Sequence, residues 1–355
     1  MANILYGVNG EGAGHSTRSR EVLSHLKERG HNLHVVSFDR GLKNLSEEFE
    51  VTEIHGFRFA YVNNQVRYQR TLARNLIAGP RALASLRRLL RLMDQWRIDL
   101  VVTDFEPLSC AAGRHKRLPV ISIDNQHCLT NARITYPRRY AADAAAAKLV
   151  TRLMTPGADA YLVISFFEAP LRDRKRTFLF PPILRQEVLR ARPTTGEHVL
   201  VYVTSPSRDL VRVLRQAPAG FVCYGFERDG RDGNLVFKKP SLDTFLADLV
   251  SCRAIIANSG FSLVSEALHL GKPYLAVPVK RQFEQVFNAY YLEKTGYGAF
   301  GERLDEERVG EFLSRLDQYR ARLAAYPRQD NSALLAKLDA LIAASVPRLH
   351  GATAL

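Results

Sequence analysis

Short blocks of consecutive apolar residues, each bounded by small or polar turn residues, recur along the whole chain. ILYGV, LHVVSF, DLVVTDFEP, PVISID and DAYLVISFF occupy the first half, and HVLVYVTS, FVCYGF, NLVFKK, AIIAN and YLAVP the second. Runs apolar at every position, and of strand length, predict strands covered on both faces, as in a parallel sheet. Between them the periodicity becomes helical. One helix is expected from the glycine-rich loop after ILYGV to Glu28, before Gly30 ends it. From Arg81 to Arg97, Leu83, Leu86, Leu89, Leu90 and Met93 fall on one side and Arg87, Arg88 and Arg91 elsewhere. The Ala-rich segment Ala141 to Met154 and NSALLAKLDALIAA near the end also read as helices. The class is therefore α/β. DAYLVISFF is expected to be the last strand of a first domain, because Pro181, Pro182, Pro193 and Gly196 then break regular structure as an inter-domain connection does. A chain of 355 residues suits two such domains, and no internal repeat is evident.

The most informative stretch runs from Ala254 to Gly298. AIIAN predicts a buried strand; Asn258, Ser259 and Gly260 turn the chain; Ser262 is the expected N-cap of a helix closed by Gly271, with Pro273 beyond. Such a turn offers the backbone N–H groups of Ser259, Gly260, Phe261, Ser262 and Leu263 and a positive helix end to a phosphate. Glu266 can accept hydrogen bonds from vicinal hydroxyls such as those of a ribose. Glu284 and Asn288 share a helix face with Gln285 beside them, a polar edge suited to a hydroxylated ligand. The same residues also serve as bare caps in many strand-turn-helix units.

The full string SGFSLVSEALHLGKPYLAVPVKRQFEQVFNA resembles the donor segment of GT-B glycosyltransferases, and especially that of the lipid-linked N-acetylglucosaminyltransferase of peptidoglycan synthesis and related UDP-sugar transferases. The order of small loop, Glu, GKP, strand-Pro and EQxxNA is shared. The resemblance implies two Rossmann-like domains facing across a cleft: an acceptor-binding domain over residues 1–181, with a C-terminal helix at about 328–346 crossing back to it, and a nucleotide-sugar-binding domain over 182–327. It places the nucleotide base at Phe237 and Lys238, and it implies inversion at the anomeric carbon. The loop Ser205, Pro206, Ser207, Arg208 is a further candidate for the diphosphate.

The N-terminal loop NGEGAGHSTR opens like a dinucleotide site, but neither Gly10 nor Gly12 has a glycine five positions on, so GxGxxG is absent. The loop instead puts His15 at the mouth of a helix, where the dipole favours the neutral imidazole that a general base requires. A histidine that only hydrogen-bonds its loop is the plainer reading. GAGHSTR is similar to the glycine-rich loop of many GT-B enzymes, which implies His15 as base or acceptor-side ligand, with Gly12, Gly14 and Arg18 beside the acceptor. The acids Asp104, Glu106 and Asp124 end two strands, and Asn125, Gln126 and His127 follow. Together with His15 they form a candidate proton-transfer cluster. In transferases that use the loop histidine an aspartate orients it, which makes Asp104 the first candidate for that role and Asp124 and His127 the alternates.

Charge changes the picture most among the bulk properties. The chain carries +14 at neutral pH, and from Phe57 to Arg97 it has nine Arg and one acid, Asp94, beside Phe57, Phe59, Tyr61 and Tyr68. An anionic partner is expected, and an acceptor at a membrane surface is favoured over an acidic glycan or RNA. Cys110, Cys128, Cys223 and Cys252 lack paired spacing, against a disulfide framework or a zinc knuckle. No apolar run reaches the roughly 20 residues that span a bilayer, and the chain opens on a strand rather than a signal peptide, so a cytoplasmic protein is expected, peripheral on the inner membrane face. No DxD marks the donor region, so neither a metal nor a separate cofactor is expected. The expected activity is transfer of a sugar from a nucleotide-sugar to a hydroxyl, the acceptor being a lipid-linked glycan. The alternatives are a UDP-N-acetylglucosamine 2-epimerase-like enzyme, whose relatives lack EQxxNA, and a non-catalytic nucleotide-sugar or RNA-binding protein.

Overall fold

The computed structural model describes the chain apart from residues 58–60, 63–64, 67–76, 205, 207, 240 and 351–355. Phe59, Tyr68, Ser205 and Ser207 therefore lie outside the described residues. Two compact units are formed: nearly all residues up to Arg185 together with those from Asp330 onward make the first, and Gln186–Gln329 the second.

The strands in chain order are β1 (Asn3–Val8), β2 (Asn32–Ser37), β3 (Val51–Glu53), β4 (Tyr61–Val62), β5 (Gln65–Val66), β6 (Leu100–Asp104), β7 (Val120–Asp124), β8 (Ala160–Ile164) and β9 (Thr177–Phe180). All but the small β4–β5 pair build the first unit's sheet, ordered β3-β2-β1-β6-β7-β8-β9 and parallel throughout. Every residue of β6 and β7 is buried, and apolar residues accordingly fall on both faces of each strand. DAYLVISFF is not the last strand of this unit. TFLF adds β9 at the edge, where one side lacks a strand neighbour and three of its four residues are only half-buried, so its pattern is weak.

In the second unit β10 (His198–Tyr202), β11 (Gly220–Tyr224), β12 (Gly230–Asp232), β13 (Leu235–Phe237), β14 (Ala254–Ala257), β15 (Tyr274–Ala276) and β16 (Gly298–Phe300) follow. Their order is β12-β13-β11-β10-β14-β15-β16, with only β12 antiparallel. In both units the order reverses beside the first strand, at β1/β6 and at β10/β14, and loops leaving the carboxyl ends there diverge to open a crevice.

The helix Ser332–His350 packs in the first unit through Leu334, Leu338 and Ile342, spaced at four residues and all buried. Its Asp339 takes a hydrogen bond from His25 Nε2 at 3.0 Å and forms an ion pair with Arg29, whose Nε lies 3.3 Å away. Where this segment rejoins the unit, Asn331 replaces a strand partner: its Oδ1 accepts from Leu184 N at 2.9 Å and its Nδ2 donates to Leu184 O at 2.8 Å. All four cysteines are buried free thiols. No helix among the described residues is long and apolar enough to cross a membrane.

Candidate functional site

The first crevice is built by the loop from β1 to the helix Ala13–Glu28. Asn9 fixes that loop to the end of β6: its N–H donates to Asp104 O at 3.1 Å, its Nδ2 to Phe105 O at 3.0 Å, and its Oδ1 takes Glu11 N at 2.8 Å. Gly10 passes so close to β2 that a Cβ there would stand 2.0 Å from Phe38 O, and Gly12, at φ 83°, opens the helix. The helix has no side-chain cap and no acid in its first turn, where Gly14 and His15 lie.

The β1–β6 register sets Asp104 opposite Val8, and Asp104 Oδ1 lies 2.7 Å from His15 Nδ1. Nδ1 also lies 2.8 Å from Arg18 Nη2, which only donates; in the tautomer in which Nδ1 donates to the carboxylate, Nε2 keeps its lone pair. Arg18, one turn further along the helix, donates from Nε to Asp104 Oδ2 at 2.7 Å and from Nη2 to Oδ1 at 2.5 Å. Ser19 Oγ adds a bond to Oδ2 at 2.9 Å. Burial alone raises the Asp104 carboxyl, but Arg18 and His15 outweigh it and hold it below the ordinary carboxylate range. Phe105, held at φ 54°, lays its ring within 13° of parallel to the imidazole. The side chains of Arg18 and Asp104 are 5% and 1% exposed and that of His15 is 12%, so of the three only the imidazole reaches solvent appreciably. The arrangement can orient an imidazole and accept a proton at Nε2.

The end of β7 behaves differently from expectation. Asn125 rather than Asp124 joins the cluster, taking Arg18 Nη1 at 2.8 Å. Asp124 accepts from Ser122 Oγ at 2.7 Å and His127 N at 2.8 Å, and His127 Nδ1 lies 2.7 Å from its Oδ2. His127 is itself 3% exposed, with Thr155 Oγ1 3.2 Å from Nε2. Asp124 and His127 are thus a closed buried pair, separate from the His15 cluster. Glu106 caps the helix Pro107–His115 by accepting from Leu108 N and Ser109 N, and burial pushes its carboxyl up. Arg18, expected beside the acceptor, is buried and holds Asp104; its i+3 spacing from His15 is the sequence signal for that role.

In the second crevice the loop after β14 meets the loop after β10. Asn258 Oδ1 accepts from Thr204 N at 2.9 Å and Asn258 Nδ2 donates to Val277 O at 2.8 Å. The helix Phe261–His269 is capped by Gly260 and not by Ser262, which lies inside its first turn, and no side chain caps it. No side-chain oxygen caps this start, the end at which a helix presents its backbone N–H groups. Glu266 is buried in its next turn. The helix Phe283–Lys294 holds the loop in place: Asn288 Nδ2 donates to Ser259 O and Ser259 Oγ to Gln285 O, both at 2.9 Å, while Gln285 Oε1 accepts from Val279 N at 2.9 Å. Asn288, at 2% exposure, supports the loop, whereas Glu284 is half-buried in the first turn. Lys272 of the GKP turn is a residue the sequence did not flag: it is buried, with Nζ on Thr194 O and Cys252 O, and burial lowers its pKa.

Two expected base contacts lie elsewhere. Phe237 is core, 3% exposed, with the Arg228 guanidinium 3.6 Å from its ring centroid. Lys238 Nζ bonds Asp248 at 2.7 and 3.0 Å, a carboxylate that also takes Tyr224 OH at 2.6 Å.

A family model for glycosyl transferase family 1 matches residues 2–317. An uncharacterized glycosyltransferase of Methanosarcina acetivorans is 24% identical over 336 residues, 83% of this chain and 84% of that protein. Similar solved structures include the glycotransferase of kitacinnamycin, at TM-score 0.70 and 16% identity over 97% of this chain and 99% of that one. The glycosyltransferase VinC, solved in complex with dTDP, aligns at TM-score 0.65 and 16% identity over 98% and 100% of the two chains.

Proposed function

The chain belongs to glycosyl transferase family 1 and is a glycosyltransferase of GT-B fold, and on that premise we propose that it moves a sugar from a pyrimidine nucleotide-sugar, a UDP-sugar first among these, to a hydroxyl acceptor with inversion and without a metal. The observation that carries this reading is the His15–Asp104 contact of 2.7 Å, with the imidazole as the member of the cluster that reaches solvent. His15 Nε2 takes the acceptor's proton as its oxygen attacks the anomeric carbon. The bond from that carbon to the diphosphate breaks, and its electron pair leaves with the diphosphate. Asp104 stabilises the imidazolium that forms. In the second unit the uncapped N-terminus of the helix Phe261–His269 is suited to the departing anion, and Glu266 to the ribose. A pyrimidine donor is supported by the dTDP held by a similar structure. The acceptor is read as a molecule carried at a membrane surface, on the strength of the basic first unit.

A thermal-shift panel of UDP, dTDP, GDP and their sugars, with and without EDTA, tests the donor side. Ligand at 100 times its dissociation constant adds about 2.7 kcal/mol. A pyrimidine-selective shift that persists in EDTA is the expected result. A flat panel, or a shift abolished by EDTA, overturns the donor reading or its metal independence.

A further inference from the structure

We propose that the outer face of one helix layer of the first unit is a docking surface for an anionic lipid membrane. The connections β3 to β6, β6 to β7 and β7 to β8 all advance in one direction along the sheet, and right-handed crossovers place their helices on one face. The contacts agree. Leu89 and Met93 of the helix Gly79–Gln95 share a core cluster with Cys110 and Ala112 of the helix Pro107–His115. Arg114 Nη1 in turn donates to Pro156 O at 2.8 Å, just beyond the helix Ala141–Met154.

Two independent features mark this layer. The first is charge: residues 79–95, 107–117 and 138–154 hold eleven Lys and Arg against two acids, Asp94 and Asp143, a net of nine among the chain's +14. The second is apolar exposure. Five large hydrophobic side chains are exposed among the described residues, and apart from Met1 they are Ile77 (83%), Leu83 (47%), Leu149 (56%) and Leu153 (68%). All four belong to the first and third helices of the layer or the turn leading into them. Leu149 and Leu153 stand one turn apart with exposed Arg152 beside them.

The combination selects the partner. Phosphodiester recognition in RNA uses the arginines, and base stacking uses aromatic rings, so neither accounts for exposed leucines. A headgroup layer takes both kinds of side chain, guanidinium groups at the lipid phosphates and leucines at the acyl boundary. The surface deepens the acceptor side of the proposed function and rests on it for the reason a transferase would dock there.

The test is cosedimentation of the whole protein with phosphatidylcholine vesicles, with and without phosphatidylglycerol. Binding is expected only with the anionic lipid and should weaken with salt. The pair Arg87→Glu and Arg88→Glu should lower the partition coefficient at least about tenfold, since each basic residue contributes about a factor of five near such a surface. Leu149→Glu with Leu153→Glu should lower it by a similar factor while the melting temperature and nucleotide response stay at wild-type levels. Absence of binding to the anionic vesicles overturns the proposal. So does binding that is indifferent to the leucine pair, or full competition by duplex RNA that the leucine pair leaves unchanged. Vesicle binding without any nucleotide response would instead remove the donor reading and leave the surface standing.

Discussion

His15 can act through Nε2 only while something holds Nδ1, and that holder is a carboxylate already gripped by Arg18. Asp104→Asn removes the acceptor-only partner, frees the imidazole to take the other tautomer and leaves a buried guanidinium without its counter-ion. Turnover should fall by about 10² to 10⁴, the range for loss of a positioned general base, with UDP affinity unchanged by calorimetric titration; retained turnover would remove the pair from the chemistry. Asp124 calls for a different experiment. Burial raises its carboxyl, but His127 outweighs this and brings it from 3.8 down to about 2. A depressed acid stabilises the fold above its ordinary pKa and loses that effect as pH falls through the folded value. Wild type should therefore exceed Asp124→Asn by on the order of 2 kcal/mol near neutrality, the gap closing between pH about 4 and about 2. Urea unfolding at a series of pH values measures it, and a gap independent of pH would contradict the depressed carboxyl. The two aspartates look alike in the sequence, each the last residue of an apolar strand. What separates them is tertiary: β6 lies against β1 and β7 one strand further out, and only Asp124 has a histidine three residues on.

At the level of elements, the glycine and proline punctuation and the apolar runs made most central strands legible, because burial on both faces writes itself into consecutive residues. Edge elements escaped. TFLF lies half-buried at a sheet edge, and GRD of β12 has two exposed residues of three, so neither carries a burial pattern. The turn after β14 was legible as a turn but not in its internal bonding. Asn288 and Gln285 have the chemistry of sugar ligands, and only the packing of the helix Phe283–Lys294 against the loop shows them holding Ser259 and Val279. Glu266, buried one turn beyond the helix start, is the carboxylate that the proposed function assigns to the ribose. Glu266→Ala should weaken UDP by about 1.5 to 3 kcal/mol, the scale of a charge-assisted hydrogen bond. If titration shows unchanged affinity, the nucleotide binds away from this helix.

For the whole molecule, the sequence announced two α/β halves, yet composition could not say that the last helix returns to the first. An amphipathic helix advertises a buried face without naming what covers it. Leu334, Leu338 and Ile342 are buried, and Asp339 meets His25 and Arg29 at the end of the helix whose first turn carries His15. The C-terminal segment thus braces the element that carries the proposed base, and a change there should act on that unit first. Leu338, fully buried, is the cleanest probe, and Leu338→Ala should cost about 2 to 5 kcal/mol through lost transfer energy and the cavity left behind. Hydrogen exchange resolved by segment can locate that cost. Amides of β1 and β6 should exchange faster by the corresponding factor, while those of β10 and β14 keep wild-type protection. Equal acceleration in both sets would mean that the helix stabilises the chain as a single cooperative body rather than as a strap on the first unit, and acceleration confined to β10 and β14 would reverse its assignment.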